Sequence, residues 1–360
     1  MVERAFCTGC GACAAVCPHQ AVQMREDWEG FYYPVVSRRS CTDCGLCAQV
    51  CPLTGAREAG GEASFFGAKA KREDDRLLGS SGGMFHLLAA QVLREGGSVW
   101  GAALGEDGTL RHTEAFEQSG LARLTRTKYI QSDMTPVWRK IRAEAREGRP
   151  VLFCGTPCQT DAVRAFLGEE RGGVILADLI CFGVPSPGLW RRYAAHLEKR
   201  FAGALEGVSF RDKRNRDNGH TCAVQAGGTE HTWPLGEDLY CRSYFRGVNL
   251  RPSCAHCKYC TTERASDITL GDFWGIEGVR PGFDDGMGCS VVICRTQAGS
   301  ALWERVQGDA HWFPCRREEA ANVSQPRLRE PTRAHPRRRL YMGLWRVLPF
   351  SLWLKLCRRM

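Results

Sequence analysis

Twenty cysteines in a chain of 360 residues put metal chemistry first. Cys7, Cys10, Cys13, Cys17 and Pro18 recur 34 residues later as Cys41, Cys44, Cys47, Cys51 and Pro52. Each half reads Cys-x2-Cys-x2-Cys-x3-Cys-Pro, a spacing that wraps three thiolates round one [4Fe-4S] cube and lends the fourth to a neighbouring cube. By that crossing, Cys7, Cys10, Cys13 and Cys51 hold one cluster, and Cys41, Cys44, Cys47 and Cys17 hold the other. The small residues Gly9, Gly11, Ala12 and Gly45 let backbone amides turn toward sulfide. Zinc is the alternative for such pairs, but the doubled run with a proline after each fourth cysteine favours iron–sulfur. Two adjacent clusters are a short wire for single electrons. They do not choose a substrate.

A further cradle, Cys254-x2-Cys257-x2-Cys260, offers three more thiolates and needs one distant ligand, with zinc again the alternative. Cys222, Cys241, Cys289, Cys294, Cys315 and Cys357 lie in mostly apolar surroundings and read as small buried hydrophobes. Three loops, SSGGMF (80–85), CGTPCQ (154–159) and CFGVPSP (181–187), sit at the ends of expected strands and helices. There their amides could approach an anion such as a cofactor phosphate, although ordinary turns use the same residues. Histidines are scattered without a His-x-x-x-His pair, and structural or surface roles suit them. Neither a Ser-His-Asp order nor a P-loop is present, which removes hydrolase and kinase readings.

The elements that must position these groups alternate. SVWGAAL (98–104), VLFCG (151–155), VILADLIC (174–181), VSFRD (208–212), DITLGDF (267–273) and SVVICRT (290–296) read as strands, and MFHLLAAQVLREG, PVWRKIRAEAREG, CQTDAVRAFLG and GLWRRYAAHLEKRF as helices. Their order predicts an α/β (α+β) protein: a small two-cluster ferredoxin domain, then a large domain on a mixed, largely parallel sheet. GAREAGGEAS reads as the linker. The expected organisation is 1–58 for the ferredoxin-type domain, 62–325 for the large domain (62–148 and 149–325), and 326–360 for a basic, apolar tail.

Seven segments of the large domain carry a resemblance. SSGGMF, KYIQSD (128–133), VLFCGTPCQ, DLICFGVPSP, FRDK, LRPSCAHCKYC and SDITLGDFWGI occur in an order that resembles the coenzyme F-420 hydrogenase/dehydrogenase beta subunit family, in the subgroup with an N-terminal ferredoxin module. The resemblance implies an oxidoreductase, a flavoprotein usually holding FAD, with its own [4Fe-4S] cluster beside the flavin. Family members pass electrons between iron–sulfur centres and a hydride donor or acceptor, which is coenzyme F-420 or an organic molecule. It implies a third cluster on Cys158, Cys181, Cys254 and Cys257, with Cys260 as an extra candidate and Cys154 not expected as a fixed ligand. It also implies flavin contacts. Ser80, Ser81, Gly82 and Gly83 before a helix would take the pyrophosphate, and Lys128 would bring positive charge to the flavin. Gly155, Thr156 and Gln159 would approach the isoalloxazine. A solvated surface lysine is the alternative for Lys128. Asp272, Arg211 and Lys213 are expected to border a substrate cleft, unless they form an ion pair serving only the fold, and His220 is the candidate proton donor.

Composition places the rest. With 43% hydrophobic and 25% charged residues the chain is globular. The net charge of +9 equals the excess of ten Lys and Arg over one Glu in 327–360, so the basic character belongs to the tail. LYMGLWRVLPFSLWLKLC is interrupted by Arg346, Pro349 and Lys355 and cannot span a bilayer. It either packs on the body or a partner subunit, or lies on an anionic membrane surface. Nucleic acid is not expected, for want of a recognition fold. The start, MVERAFCTGCGAC, does not read as a signal peptide, and a cytoplasmic location is expected. Two functions follow. One is an iron–sulfur flavoenzyme exchanging electrons with ferredoxin or another redox protein, in an open oligomeric state. The other is a non-catalytic electron-transfer subunit.

Overall fold

The computed structural model describes residues 2–54, 61–214 and 220–358. Most of the expected linker, residues 55–60, lies outside them. In the ferredoxin-type module, short helices α1 (Ala12–Val16) and α2 (Leu46–Gln49) each follow a cysteine loop, and the hairpin of β1 (Val22–Glu26) and β2 (Tyr32–Val36) separates them.

The large domain is built on β3 (Ser64–Ala70), β4 (Ser98–Leu104), β5 (Leu110–Ala115), β6 (Val151–Gly155), β7 (Val174–Leu179), β11 (Ile268–Asp272), β12 (Ser290–Cys294) and β13 (Ala310–Cys315), in the order β13-β3-β12-β11-β7-β6-β4-β5. Only β4, β6, β7 and β11 run parallel to their shared neighbours; the pairs β13–β3, β3–β12, β12–β11 and β4–β5 are antiparallel. The sheet is therefore mixed, and its parallel part is narrower than expected. Every residue of β6 (VLFCG) and β12 (SVVIC) is buried, because helices cover both faces. On one face, α4 (Met84–Arg94) and α10 (Gln297–Val306) bury Leu88, Val92, Leu302 and Trp303. On the other, α6 (Val137–Arg146) and α7 (Pro157–Leu167) bury Trp138, Ile141, Val163 and Phe166. Helices α3 (Glu73–Leu78) and α5 (Gln118–Leu124) flank this frame.

VSFRD does not join that sheet. It ends β8 (Leu205–Asp212), which pairs antiparallel with β9 (Thr221–Ala226), and β9 with β10 (Thr229–Pro234), in a separate three-stranded sheet. Helices α8 (Pro187–Phe201) and α9 (Leu239–Phe245) pack there, with a short α11 (Arg317–Ala320) elsewhere. The tail forms α12 (Arg338–Leu344) and α13 (Phe350–Cys357) and packs on the body: Met342, Trp345, Trp353 and Cys357 share one core with Phe31, Tyr193 and Tyr240. Arg338 clasps Glu29 of the ferredoxin module at 2.5 and 2.8 Å in a buried pair. Among the described residues, no helix is long and apolar enough to cross a membrane.

Candidate functional site: thiolate cradles on the wall of a cavity

Local chain geometry builds the first cradle. Gly9 adopts φ +69°, a left-handed turn that glycine enters without penalty. Cys7 and Cys51 stand close enough to Cys10 and Cys13 to perturb the ionisation of those two. Burial pushes Cys10 up to about 11 and Cys13 to about 12, and neighbouring thiols of the same four add to it. That foursome is the crossing set expected for one cluster. In the other set, Cys44 is exposed, Cys41, Cys47 and Cys17 are half-buried, and the Cys17 sulfur accepts the Ala21 N–H at 3.3 Å.

Arg251 locks this module to the large domain. Only 1% exposed, its guanidinium donates to Cys7 O (2.7 Å), Tyr32 O (2.9 Å) and Gln131 Oε1 (3.1 Å), and it lies over the Tyr33 ring at 4.2 Å. A methyl group on Gly9 would fall 2.6 Å from it. Lys258 adds a second tie, donating to Pro52 O at 2.6 Å. Three residues beyond Arg251 comes Cys254, so the same segment that grips the first cradle starts the next one.

There Cys158, Cys181, Cys254 and Cys257 converge from separate places in the chain. Burial raises Cys158 and Cys181 and takes Cys254 to about 11, with the other thiols of the group adding to each. Cys257 is drawn down to about 7, chiefly by the Cys260 S–H and then by backbone amides and Arg264. Amides already point at the sulfurs: Gly183 N–H donates to Cys181 Sγ at 3.3 Å and Val184 N–H to Cys254 Sγ at 3.4 Å. Four half-buried thiols, three of them met by backbone donors and Cys257 also by the Cys260 thiol, are a donor set that suits an iron–sulfur cube. Cys154 stands apart from them; its thiol is raised to about 12 by burial and then by Asp178.

Cys181 also lines a cavity of about 460 Å³, a volume within the range of cofactor sites. Nearly every residue expected to touch a flavin reaches it: Ser80, Ser81, Gly83, Lys128, Gly155, Thr156 and Gln159, and His220 and Asp272 line it as well. Gly82 does not line it. Its N–H donates to Ser290 Oγ (2.9 Å), and a Cβ there would meet Ala68 O at 2.4 Å, so it serves close packing behind the loop. Ser81 is tied to Cys289 O (2.7 Å), while Ser80 Oγ accepts Thr127 N–H (2.5 Å) and keeps its proton for the cavity. Gly83, at φ +85°, starts α4, whose N-terminal residues Met84 and Phe85 form part of the wall.

Lys128 donates to Arg123 O (2.8 Å) and Thr125 O (2.5 Å), closing the end of α5. One of its three protons is left for the cavity. Burial pulls its ammonium down to about 7. Arg211 holds Asp272 through two bonds (2.6 and 3.1 Å) and donates to His220 Nε2 at 3.1 Å. A guanidinium can only donate, so Nε2 carries no proton, and a proton leaving His220 would have to come from Nδ1. Burial, and then Arg211, hold His220 down near 4. A smaller annexe of about 170 Å³ shares Ser80, Arg211, His220, Asp272 and Trp274 with the main cavity.

One residue escaped the sequence reading. His112, 1% exposed, stands in the cavity wall stacked on Phe153. Its only sequence signal is an inward position on the alternating strand LRHTEA. Elsewhere Cys222, Cys241 and Asp238 come within 4.8 Å of one another, but Asp238 already accepts from Tyr193 OH, Trp233 Nε1 and Cys241 N–H. Asp238 is thus a buried hydrogen-bond hub joining α8, β10 and α9.

A dicluster cradle joined to a second thiolate cradle and a cofactor-sized cavity defines an iron–sulfur electron-transfer protein. Residues 148–311 match the family model for the C terminus of the coenzyme F420 hydrogenase/dehydrogenase beta subunit, and residues 6–56 match that of a 4Fe-4S dicluster domain. The chain thus carries the C-terminal domain of the coenzyme F420 hydrogenase/dehydrogenase beta subunit family behind a ferredoxin-type dicluster domain at its N-terminal end. No curated protein matches it. It is similar to a chain of the F420-reducing [NiFe] hydrogenase complex from Methanosarcina barkeri, with 17% identity and a TM-score of 0.49 over 84% of this chain and 91% of that one.

Proposed function

We propose that this chain is a flavin- and iron–sulfur-dependent oxidoreductase, with three [4Fe-4S] clusters and one FAD. The observation that carries this reading is that Cys181, of the third cradle, stands in the wall of the same cavity as the loop 80–83 and the start of α4. Clusters would supply single electrons, and the flavin would exchange them for a hydride given to or taken from coenzyme F-420 or an organic substrate. The protein's own residues orient and shield. Ser80, the start of α4 and Lys128 offer donors to an anionic group, and Gly155, which lets the backbone pack close to Phe153 and Gln159, lies in the wall a planar ring would face. Arg211, held by Asp272 and leaning on His220, faces the annexe where a substrate would enter.

The redox partner in this reading is ferredoxin or another acidic single-electron carrier. Three of the module's acids, Glu26, Asp27 and Glu29, are spent on Arg191, Arg346, Arg4 and Arg338. Arg38 and Arg39 remain exposed and form no ion pair within the described chain, three and two residues before Cys41 respectively. At no more than about 3.6 Å per residue they lie within roughly 11 Å of that ligand. The tail also presents Leu340, Val347 and Leu352 beside Arg339 and Lys355 to the outside, a surface suited to anionic lipid.

Anaerobic purification followed by iron, acid-labile sulfide and flavin analysis tests the proposal. Three four-iron clusters and a flavin give about twelve irons and one flavin per chain. About eight irons without flavin, even after reconstitution, would leave the alternative, a non-catalytic electron-transfer subunit.

A further inference from the structure

One continuous chain of hydrogen bonds joins the buried wall of the cavity to Cys158. His112 Nε2 is 3.0 Å from Cys154 O, and His112 Nδ1 is 2.9 Å from Ser132 Oγ. Gln159 Nε2 donates to Ser132 Oγ at 2.9 Å, and Gln159 Oε1 accepts from Thr156 N–H and lies within reach of Thr156 Oγ1, both at 3.0 Å. Thr156 Oγ1 is 3.3 Å from Cys158 Sγ.

The direction of this chain follows from its buried end. A carbonyl only accepts, so His112 carries its proton on Nε2. Its other nitrogen then accepts the Ser132 hydroxyl proton, and Ser132 Oγ is left to accept from Gln159. The Gln159 amide is thereby pinned with its oxygen toward Thr156. Thr156 and Gln159 also form the capping box of α7, so the threonine oxygen is engaged as an acceptor. Its single proton has two destinations: Gln159 Oε1, which already holds a backbone N–H, and the Cys158 sulfur. A metal-bound thiolate is the stronger acceptor.

We propose that Thr156 donates its hydroxyl proton to the Cys158 thiolate and so raises the reduction potential of the third cluster, with Gln159, Ser132 and His112 as the positioning residues that hold it in that state. This rests on Cys158 being a ligand of that cluster. The reduced cluster is the more negative form, so a hydrogen bond to its sulfur favours reduction.

The experiment is an anaerobic EPR-monitored redox titration of the full-length holoprotein, with iron counted in each sample. Thr156→Val and Thr156→Gly both remove the hydroxyl, and glycine is tolerated at a helix N-cap. Each should keep about twelve irons and lower one of three potentials by at least a tenfold change in the reduction equilibrium, 59 mV for one electron. Thr156→Ser should retain the original value. Ser132→Ala should shift the same potential in the Thr156 protein and leave it unmoved in the Thr156→Val protein, a non-additivity that general loosening of the fold would not produce. Unshifted potentials in both hydroxyl-free variants, with iron intact, would overturn the proposal. A wild-type count near eight irons would instead overturn the ligand assignment beneath it.

Discussion

Arg251 provides the sharpest test of how the two cluster-bearing parts are joined. In Arg251→Met the aliphatic stem stays and three charge-assisted donors vanish, leaving Cys7 O, Tyr32 O and Gln131 Oε1 without their partner. Hydrogen bonds from a charged donor are worth about 1.5–3 kcal/mol each, offset by relief from burying a guanidinium. A net loss of about 3 kcal/mol in docking follows, more than a hundredfold in the equilibrium between docked and undocked module. Hydrogen exchange reads this directly, because an undocked β1–β2 hairpin loses the packing of Phe31 and Tyr33 against the body. Amides of residues 30–36 should exchange over a hundredfold faster, while those of β12, an interior strand of the large sheet, keep their rates. Gly9→Ala, whose methyl would press on the same guanidinium, should act on the same amides. Unchanged protection of 30–36 in Arg251→Met would refute the pinning role of Arg251.

Other consequences are open to measurement. Burial holds His112 near pH 4 in the folded protein, below its unfolded value of about 6.5. Between these values the unfolded chain binds the extra proton, so His112 should withdraw up to about 3 kcal/mol of stability as pH falls from 6.5 to 4. In denaturant titrations His112→Gln should show a correspondingly flatter slope. Arg338→Ala leaves Glu29 buried and unpaired and should cost about 3–5 kcal/mol, seen as trypsin cleavage within residues 337–346, and Glu29→Leu with Arg338→Leu should restore much of the resistance. Reduction by an acidic ferredoxin should slow with rising ionic strength, and Arg38→Glu with Arg39→Glu should slow it at low salt and flatten that dependence. An equal salt slope in both proteins would place the docking face elsewhere. Cys254→Ser should lower the iron content by about four per chain, with the ferredoxin-type EPR signals retained.

What the amino-acid sequence determined by itself is the chemistry that lies close along the chain. Thiolate spacing is a local property, so the ferredoxin cysteines and the Cys254-x2-Cys257 pair are legible from their intervals. The helices of the large domain and the strands VLFCG and SVVIC are legible for the same reason, since period and uninterrupted burial are written in neighbouring residues. Partnership across the chain is not. VSFRD reads as a strand but reveals nothing of which sheet accepts it, and SFFGAKA, the strand between β12 and β13, hides beside a linker. His112 is one histidine on an alternating strand until Ser132, Gln159 and Cys154 arrive from other segments. Likewise Arg338 is one of several tail arginines until folding sets it on Glu29, more than 300 residues away in sequence. Ligand type follows from side-chain chemistry at fixed intervals, whereas cavity shape, buried pairing and hydrogen-bond direction depend on which distant backbones meet. Only the tertiary structure decides that.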